Sequence, residues 1–436
     1  MDEHNHSLTA PVGERSRLHA LDTLRGVALF GILLLNIIAF ANPFAAYLDP
    51  RVDGATVGLD LAVFVTVDTL FEGSLRAIFS MLFGAGMLLF LNKPGAGIEV
   101  IRGLYYRRTL LLVAFGLFNA YVLIWPGDIL YTYGMAGLLL YFFRAMPARR
   151  LLYVSLAVFA LLTLLHSGAH VQARLLGNAV AGIETLPPGS VLSDAQQQSL
   201  ADWDDFLEQQ FLQPEQIAEE LATKKSGYAA NFIAAARINV LVQTVGMLFN
   251  GLWDVMAMML LGMALLKWGI LDGSVPAAHY WRLIVLGFGI GLPVNAFETL
   301  TFVSSGFDLH WAIFNRPTYD LGRISMALGY IGAIMLICKS GLLQSFQRGM
   351  GRVGQMALSN YLLQTLICNW VFLGFGLGLA GELSRLQIYA VVLAVWALQL
   401  TLSVLWLRYY RFGPAEWLWR SLTYGSRQPL RLSQSS

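Results

Sequence analysis

The chain has 436 residues, of which 56% are hydrophobic and 13% charged; an ordinary soluble domain carries about 25% charged residues, so a soluble globular fold is excluded. The formal net charge is only +2, with the 29 Lys and Arg gathered in short clusters between apolar runs, which leaves nucleic acid without a binding face. Cys338 and Cys368 both lie in apolar runs, so neither a disulfide framework nor a thiolate metal site is expected.

Residues 1–20 read as a polar cytoplasmic tail. The first apolar run, near residues 27–44, is followed by no small-residue cleavage site, so it is expected to stay as a helix and not to leave as a signal peptide. Further runs lie near 58–72, 75–91, 109–125, 128–143, 150–166, 233–250, 252–268, 281–299, 321–338, 356–376 and 387–407. A hydrocarbon core about 30 Å thick takes about 20 helical residues to cross, and the runs are of that order.

Charge then orients them. Lys and Arg cluster at Arg15 and Arg17, from Lys93 to Arg108, from Arg144 to Arg150, at Lys267 and Arg282, from Lys339 to Arg352, and after Trp406. These flanks should be cytoplasmic. The stretches near 43–57, 126–128, 167–226, 300–320 and 377–386 are poor in Lys and Arg and should face outward. Both sets fit only if 58–91 and 233–268 each make one net crossing, so each contains a re-entrant, interfacial or broken helix. The predicted fold is all-α, a polytopic membrane bundle of about ten crossings plus two re-entrant or interfacial segments, with both termini cytoplasmic. An N-terminal membrane half (21–166) precedes an acidic outer insert (167–226), whose Pro187-Pro188 and amphipathic patches suggest short helices. A C-terminal membrane half (227–407) follows. The tail 408–436 mixes Arg with Tyr, Phe and Trp, as a helix lying at the headgroup level does.

Four stretches carry a family resemblance: LDTLRGVALFGILLLNI at 21–37, GDILYTYGMAGLL at 127–139, MALSNYLLQTLIC at 356–368 and LRYYRFGPAEWLWRSLT at 407–423. Together they resemble the bacterial YeiB-like family of inner-membrane proteins, whose shared C-terminal region is known as domain of unknown function 418. That resemblance implies a multi-pass protein of the inner (plasma) membrane and is often associated with transport. The opening Leu-Asp-x-x-Arg-Gly, leading into a helix with Asn36, is also similar to the start of membrane acyltransferases such as heparan-alpha-glucosaminide N-acetyltransferase. This wider likeness implies acyl transfer from cytoplasmic acyl-CoA. It departs in one place, because residues 38–60 contain no His where those enzymes look to have a catalytic one. Gln355 also stands where relatives often carry Arg.

Ionisable residues inside apolar runs are costly and are functional candidates by default. Asp22 and Arg25 share a helix face at a spacing of three, either as a cap with a membrane-edge salt bridge or as a binding pair. Asp60 and Asp128 flank outer turns and are candidate general bases or proton-coupling sites, with an N-cap as the plain alternative for Asp128. Asp68, Glu72 and Arg76 recur every four residues, so a continuous helix would pair Glu72 with Arg76. Asn360, Tyr361 and Gln364 on one helix, with Tyr133 on another, are candidates for lining a substrate path; interhelical glue is the alternative for the amides. Arg107 and Arg108 would suit the phosphates of coenzyme A, although orientation also explains them. His166 and His170 have a metal-compatible spacing without the accompanying Glu, so no metal is expected. His310 is the remaining outer candidate for a catalytic base. Gly287, Gly289 and Gly291 lack a preceding strand and read as close helix packing or a kink, not a phosphate loop.

Two functions follow from these residues. The first is an acyl-group transferase-like protein, with acyl-CoA as a transient donor and no tightly bound cofactor. The second is a transporter of a small solute or lipid, with the same carboxylates binding protons or substrate and half-helices forming a site at mid-depth. Membrane lipids and a small-molecule or lipid substrate are the partners of either.

Overall fold

The computed structural model describes residues 19–92, 97–187, 189–210, 213–308 and 318–432. These residues form helices joined by turns, with no strand beyond an isolated bridge between Tyr410 and Arg431. Among the described residues seven spans are long and apolar enough to cross a membrane by length and composition: His19–Ala41, Gly58–Leu91, Ala148–Leu165, Tyr228–Lys267, Ala277–Ser304, Tyr319–Ser340 and Arg385–Tyr409. The chain is an all-helical membrane protein.

Helix α1 (His19–Ala41) is apolar on every side and is accordingly buried on nearly every side. Helices α2 (Gly58–Phe71) and α3 (Ser74–Leu91) form one 34-residue span interrupted between them. Helix α4 (Ile98–Leu117) ends in a π-wound turn, Phe118–Val122, and is followed by α5 (Leu130–Leu140). Helix α6 (Ala148–Glu184) runs 18 residues past the predicted run end at residue 166. Residues 167–184 contain no Pro, and their Ala, Leu, Gln and Arg favour helix. The insert then folds back as α7 (Asp194–Gln210) and α8 (Pro214–Lys224), with Trp203 packed on Gly177. Helix α9 (Tyr228–Leu241) continues through a π-wound stretch, Val242–Gly251, into α10 (Leu252–Lys267), one span of 40 residues. After these come α11 (Ala277–Ser304), α12 (Tyr319–Ser340), α13 (Gln344–Gln355), α14 (Ala357–Phe372), α15 (Arg385–Tyr409) and α16 (Pro414–Tyr424).

Small residues set the closest approaches, because lipid gives helices no hydrophobic reason to associate and backbone proximity must supply the packing. A Cβ at Gly84 would collide with the Met259 carbonyl oxygen, and one at Gly262 with that of Met81, so α3 and α10 cross backbone to backbone. Gly26 and Gly354 do the same for α1 and α13, against Met350 and Asp22 respectively. Gly287 and Gly291 press α11 against α12, while Gly289 meets nothing. Pro293 lies inside α11.

The predicted pairing of Glu72 with Arg76 is corrected by the structure. Gly73 adopts φ +67°, a left-handed conformation that ends α2 and restarts the chain as α3. A Cβ at this position would lie only 2.6 Å from the Tyr319 hydroxyl, so any side chain would strike it. The break turns Glu72 away from the i, i+4 pairing, and its carboxylate accepts hydrogen bonds from Tyr47 and Tyr319 instead.

Candidate functional site

Three buried polar assemblies emerge. The first lies where α1, α4 and α16 meet. Arg25 Nη1 donates to Asp22 Oδ1 at 2.7 Å, while Asp22 Oδ2 is buried without a hydrogen-bond partner. Arg25 and Arg420 are both close enough to Arg108 to repel it electrostatically. The Arg108 guanidinium lies 3.6 Å from the Trp419 ring centre and 5.3 Å from that of Phe90, and Trp419 Nε1 donates to the Arg108 carbonyl. Arg107 reaches Gly425 at the end of α16. Arg25 and Arg420 thus lie near Arg108, with Arg107 on the adjacent position of α4, and among the described residues Arg108 has no ion pair. An apolar cavity of about 680 Å³, with none of these arginines in its lining, opens between α14, α15, α16 and the π-wound end of α4. Phe118, Leu363, Leu366, Leu405, Trp406 and Pro414 line it, with Ser359 and Asn360 at its polar edge.

The second assembly is the turn between α4 and α5. Asp128 Oδ1 accepts from Asn119 at 2.8 Å and from the Tyr361 hydroxyl at a long 3.5 Å; Oδ2 accepts from the Tyr131 backbone N–H at 2.9 Å. The Tyr361 hydroxyl also accepts from the Ile129 N–H at 3.2 Å. Gly116 makes room for this turn, since a Cβ there would sit 2.8 Å from Asp128 Oδ2. Trp125 stacks on Phe40 with ring centres 3.8 Å apart. Asp128 is thus a helix cap on one oxygen and a link to α14 on the other.

The remaining sequence candidates separate. Asp60 accepts the Leu386 N–H at 2.7 Å and so caps α15, with no shared partner with Asp128. Asn360 donates to Ser403 at 2.9 Å; Gln399 donates to the Asn360 carbonyl at 2.7 Å and accepts from Gln364 at 3.1 Å. That chain ties α14 to α15 and, through Gln364 and the Leu29 carbonyl, to α1. Tyr133 is fully buried and shares a 2.6 Å hydrogen bond with Ser80. Asn36 is half-buried on α1. His310 and the side chains of His166 and His170 lie outside the described residues. No group of three or more His, Cys, Asp or Glu able to hold a metal occurs among the described residues.

The third assembly joins Asp68, Glu72 and Arg76 to three residues that the reading of the sequence missed, Asp254, Asp320 and Arg323. Arg323 on α12 is 4% exposed and bridges Asp254 at the start of α10 and Asp320, whose Oδ1 receives its Nε at 2.8 Å. Asp320 also accepts from Thr163 on α6 at 3.2 Å. Glu72 accepts from the Tyr319 hydroxyl at 3.0 Å and from the Tyr47 hydroxyl at 3.3 Å. Thr299 on α11 donates to Asp68 at 2.7 Å. Arg76 has Tyr319, Asp254, Tyr47 and Arg323 as its electrostatic neighbours. The interruption of 58–91 and the π-wound stretch of 228–267 are thereby joined through one arginine. The signal was present: Asp254 and Arg323 are ionisable residues within apolar runs.

Comparison with known proteins places this geometry. Residues 265–426 match the family described as Protein of unknown function (DUF418). The uncharacterized protein YxaH of Bacillus subtilis is 27% identical over 96% of this chain and 97% of its own length. An uncharacterized 39.9 kDa protein in the amylase 3' region of Bacillus acidopullulyticus is 24% identical over 98% of this chain and 99% of its own length. The uncharacterized protein YeiB of Escherichia coli is 32% identical over 94% of this chain and 97% of its own length. With a relative of that identity matched over nearly the whole of both chains, the chain belongs to the YeiB-like, DUF418-containing family of membrane proteins.

Proposed function

We propose that the protein is a membrane-embedded acyl-group transferase-like enzyme of the bacterial inner (plasma) membrane, crossing it about ten times with both termini inside. What supports this reading is the first assembly. Arg25, Arg108 and Arg420 concentrate positive charge, with Arg107 adjacent on α4, and the same two elements, α4 at its π-wound end and α16 at its start, also bound an apolar cavity of about 680 Å³. Like charges held together are costly unless an anion joins them, and guanidinium groups suit phosphates in both charge and geometry. An acyl-CoA would set its phosphates against the arginines and its acyl chain in the cavity. Asp128, with the Tyr361 hydroxyl beside it, is the proposed base for an acceptor arriving from outside. The acceptor hydroxyl or amine gives its proton to the carboxylate as it attacks the thioester carbonyl. The carbon–sulfur bond then breaks, and the coenzyme A thiolate leaves to be protonated.

Binding of acyl-CoA to the purified full chain in lipid nanodiscs tests the donor site. Replacing one charge-assisted contact costs about 1.5 to 3 kcal/mol, so Arg108→Ala should weaken binding about 10- to 100-fold. No binding at any chain length, or equal binding by the variant, would overturn the reading. A transporter is the second reading, favoured by the meeting of the two irregular spans at Arg323, an arrangement that transporters with discontinuous helices use for substrate or ion sites. Under it, proton-coupled uptake of a solute is lost in Asp128→Asn with expression unchanged.

A further inference from the structure

Arg76 stands outside both of these uses. It sits on α3, whose Ser74, Leu75, Ala77, Ile78 and Ser80 are all buried, yet its own side chain is exposed. Tyr47, Asp254, Tyr319 and Arg323, from three other elements, stand around it, so the space it faces lies between helices. The carboxylates nearest it are already engaged: Glu72 holds the hydroxyls of Tyr47 and Tyr319, and Asp254 holds Arg323. Among the described residues no carboxylate forms an ion pair with Arg76. A lone guanidinium at membrane depth costs about 2.5 to 3.5 kcal/mol by insertion scales unless water or a counter-charge reaches it.

We propose that Arg76 is the anion-binding residue of an aqueous vestibule, and that its ligand is a carboxylate carrying a single negative charge. The 3-10 turn Phe44–Tyr47 supplies the Tyr47 hydroxyl to its wall. Charge selects between a carboxylate and a phosphate. Glu72 and Asp254 both lie close by, so a second negative charge on the ligand would meet repulsion that one guanidinium does not offset. A carboxylate, by contrast, matches one guanidinium in a two-point contact. Tyr319 offers ring surface beside it. Gly73 holds the arrangement open, since any side chain there would collide with the Tyr319 hydroxyl. This site is independent of the acyl-donor reading and does not fall with it.

The test uses the full chain in nanodiscs with benzoate, acetate and inorganic phosphate as probes. Benzoate should bind saturably, acetate should displace it, and phosphate should not. Arg76→Gln should weaken benzoate about 10- to 100-fold, the loss of one charge-assisted contact, and Arg76→Lys should recover part of it. The unmutated protein supplies a second readout that does not depend on how Arg76→Gln folds. A water-soluble arginine reagent should modify Arg76, mapped by mass spectrometry, and benzoate should slow that reaction. Five outcomes would overturn the proposal: no carboxylate binds; phosphate competes as well as acetate; Arg76→Gln binds benzoate normally; Arg76 is not modified; or benzoate leaves its modification rate unchanged.

Discussion

Arg323 offers the sharpest energetic test of the buried charge network. Replacing it by Met keeps most of the side-chain volume over Phe159 and Tyr319 but leaves Asp254 and Asp320 facing each other across the gap. Removing one partner of a buried ion pair costs about 3 to 5 kcal/mol, because the remaining charge is left uncompensated. Arg323 is 4% exposed, whereas the two carboxylates keep 17% and 19% of their side-chain exposure. Water therefore relieves part of the residual charge, which puts Arg323→Met at the lower end, about 3 kcal/mol. That is roughly a 100-fold fall in the folded-to-unfolded ratio. The triple variant Arg323→Met, Asp254→Asn, Asp320→Asn removes the stranded charges and should regain most of the loss. Reversible unfolding in mixed micelles, followed by tryptophan fluorescence, measures both. A single-variant loss below about 1 kcal/mol, the value expected of an exposed pair, would refute the reasoning. So would a triple variant no more stable than the single one.

Two further predictions concern residues outside the spans. Lys224, at the end of α8, donates to the Ala39 carbonyl at 2.6 Å and lies 3.9 Å from Glu220; burial lowers its ammonium from 10.5 to about 8. The native state therefore releases this proton before the unfolded chain does, so the contribution of Lys224 to stability is complete above 10.5 and is lost as pH falls through about 8. The melting temperature of the wild type should rise across that window relative to Lys224→Met; parallel curves would contradict the sign. On the opposite side, Glu416 of α16 accepts the N–H groups of Leu358 at 2.7 Å and Ser359 at 3.1 Å, together with the Ser359 hydroxyl. Glu416→Ala leaves these donors at the start of α14 unsatisfied, at about 1 to 3 kcal/mol, and hydrogen exchange in 414–424 should accelerate. Unchanged exchange there would show that the carboxylate is not what holds α16 to the bundle.

Hydropathy and charge act locally, and what they dictate was legible in the letters. Apolar runs must cover a fixed thickness of hydrocarbon, and an all-helical membrane protein follows because only helices or closed barrels satisfy the backbone there. The close glycine packing of Gly287 and Gly291 and the polar ladder through Asn360 and Gln364 were readable for the same reason, as small or amide side chains in a lipid-spanning helix have few other uses. The family motif likewise pointed to Asp22 and Arg25, which do pair.

What the tertiary structure decided is which polar groups meet. A helix that is apolar all round, as α1 and α3 are, has no stripe to reveal its inward face, so spacing along the chain says little about partners across it. Asp60 and Asp128 looked equivalent in sequence and proved to cap different helices. Glu72 and Arg76 looked paired, and a single left-handed glycine between them sent the carboxylate to two tyrosines and left Arg76 exposed. Asp254 and Arg323, 69 residues apart, became one ion pair only because α10 and α12 pack beside the interruption at Gly73. Composition determined that this chain lives in lipid, since burying apolar surface is additive over residues. The placement of its few charges depended on helix rotation and contact, which no local pattern encodes.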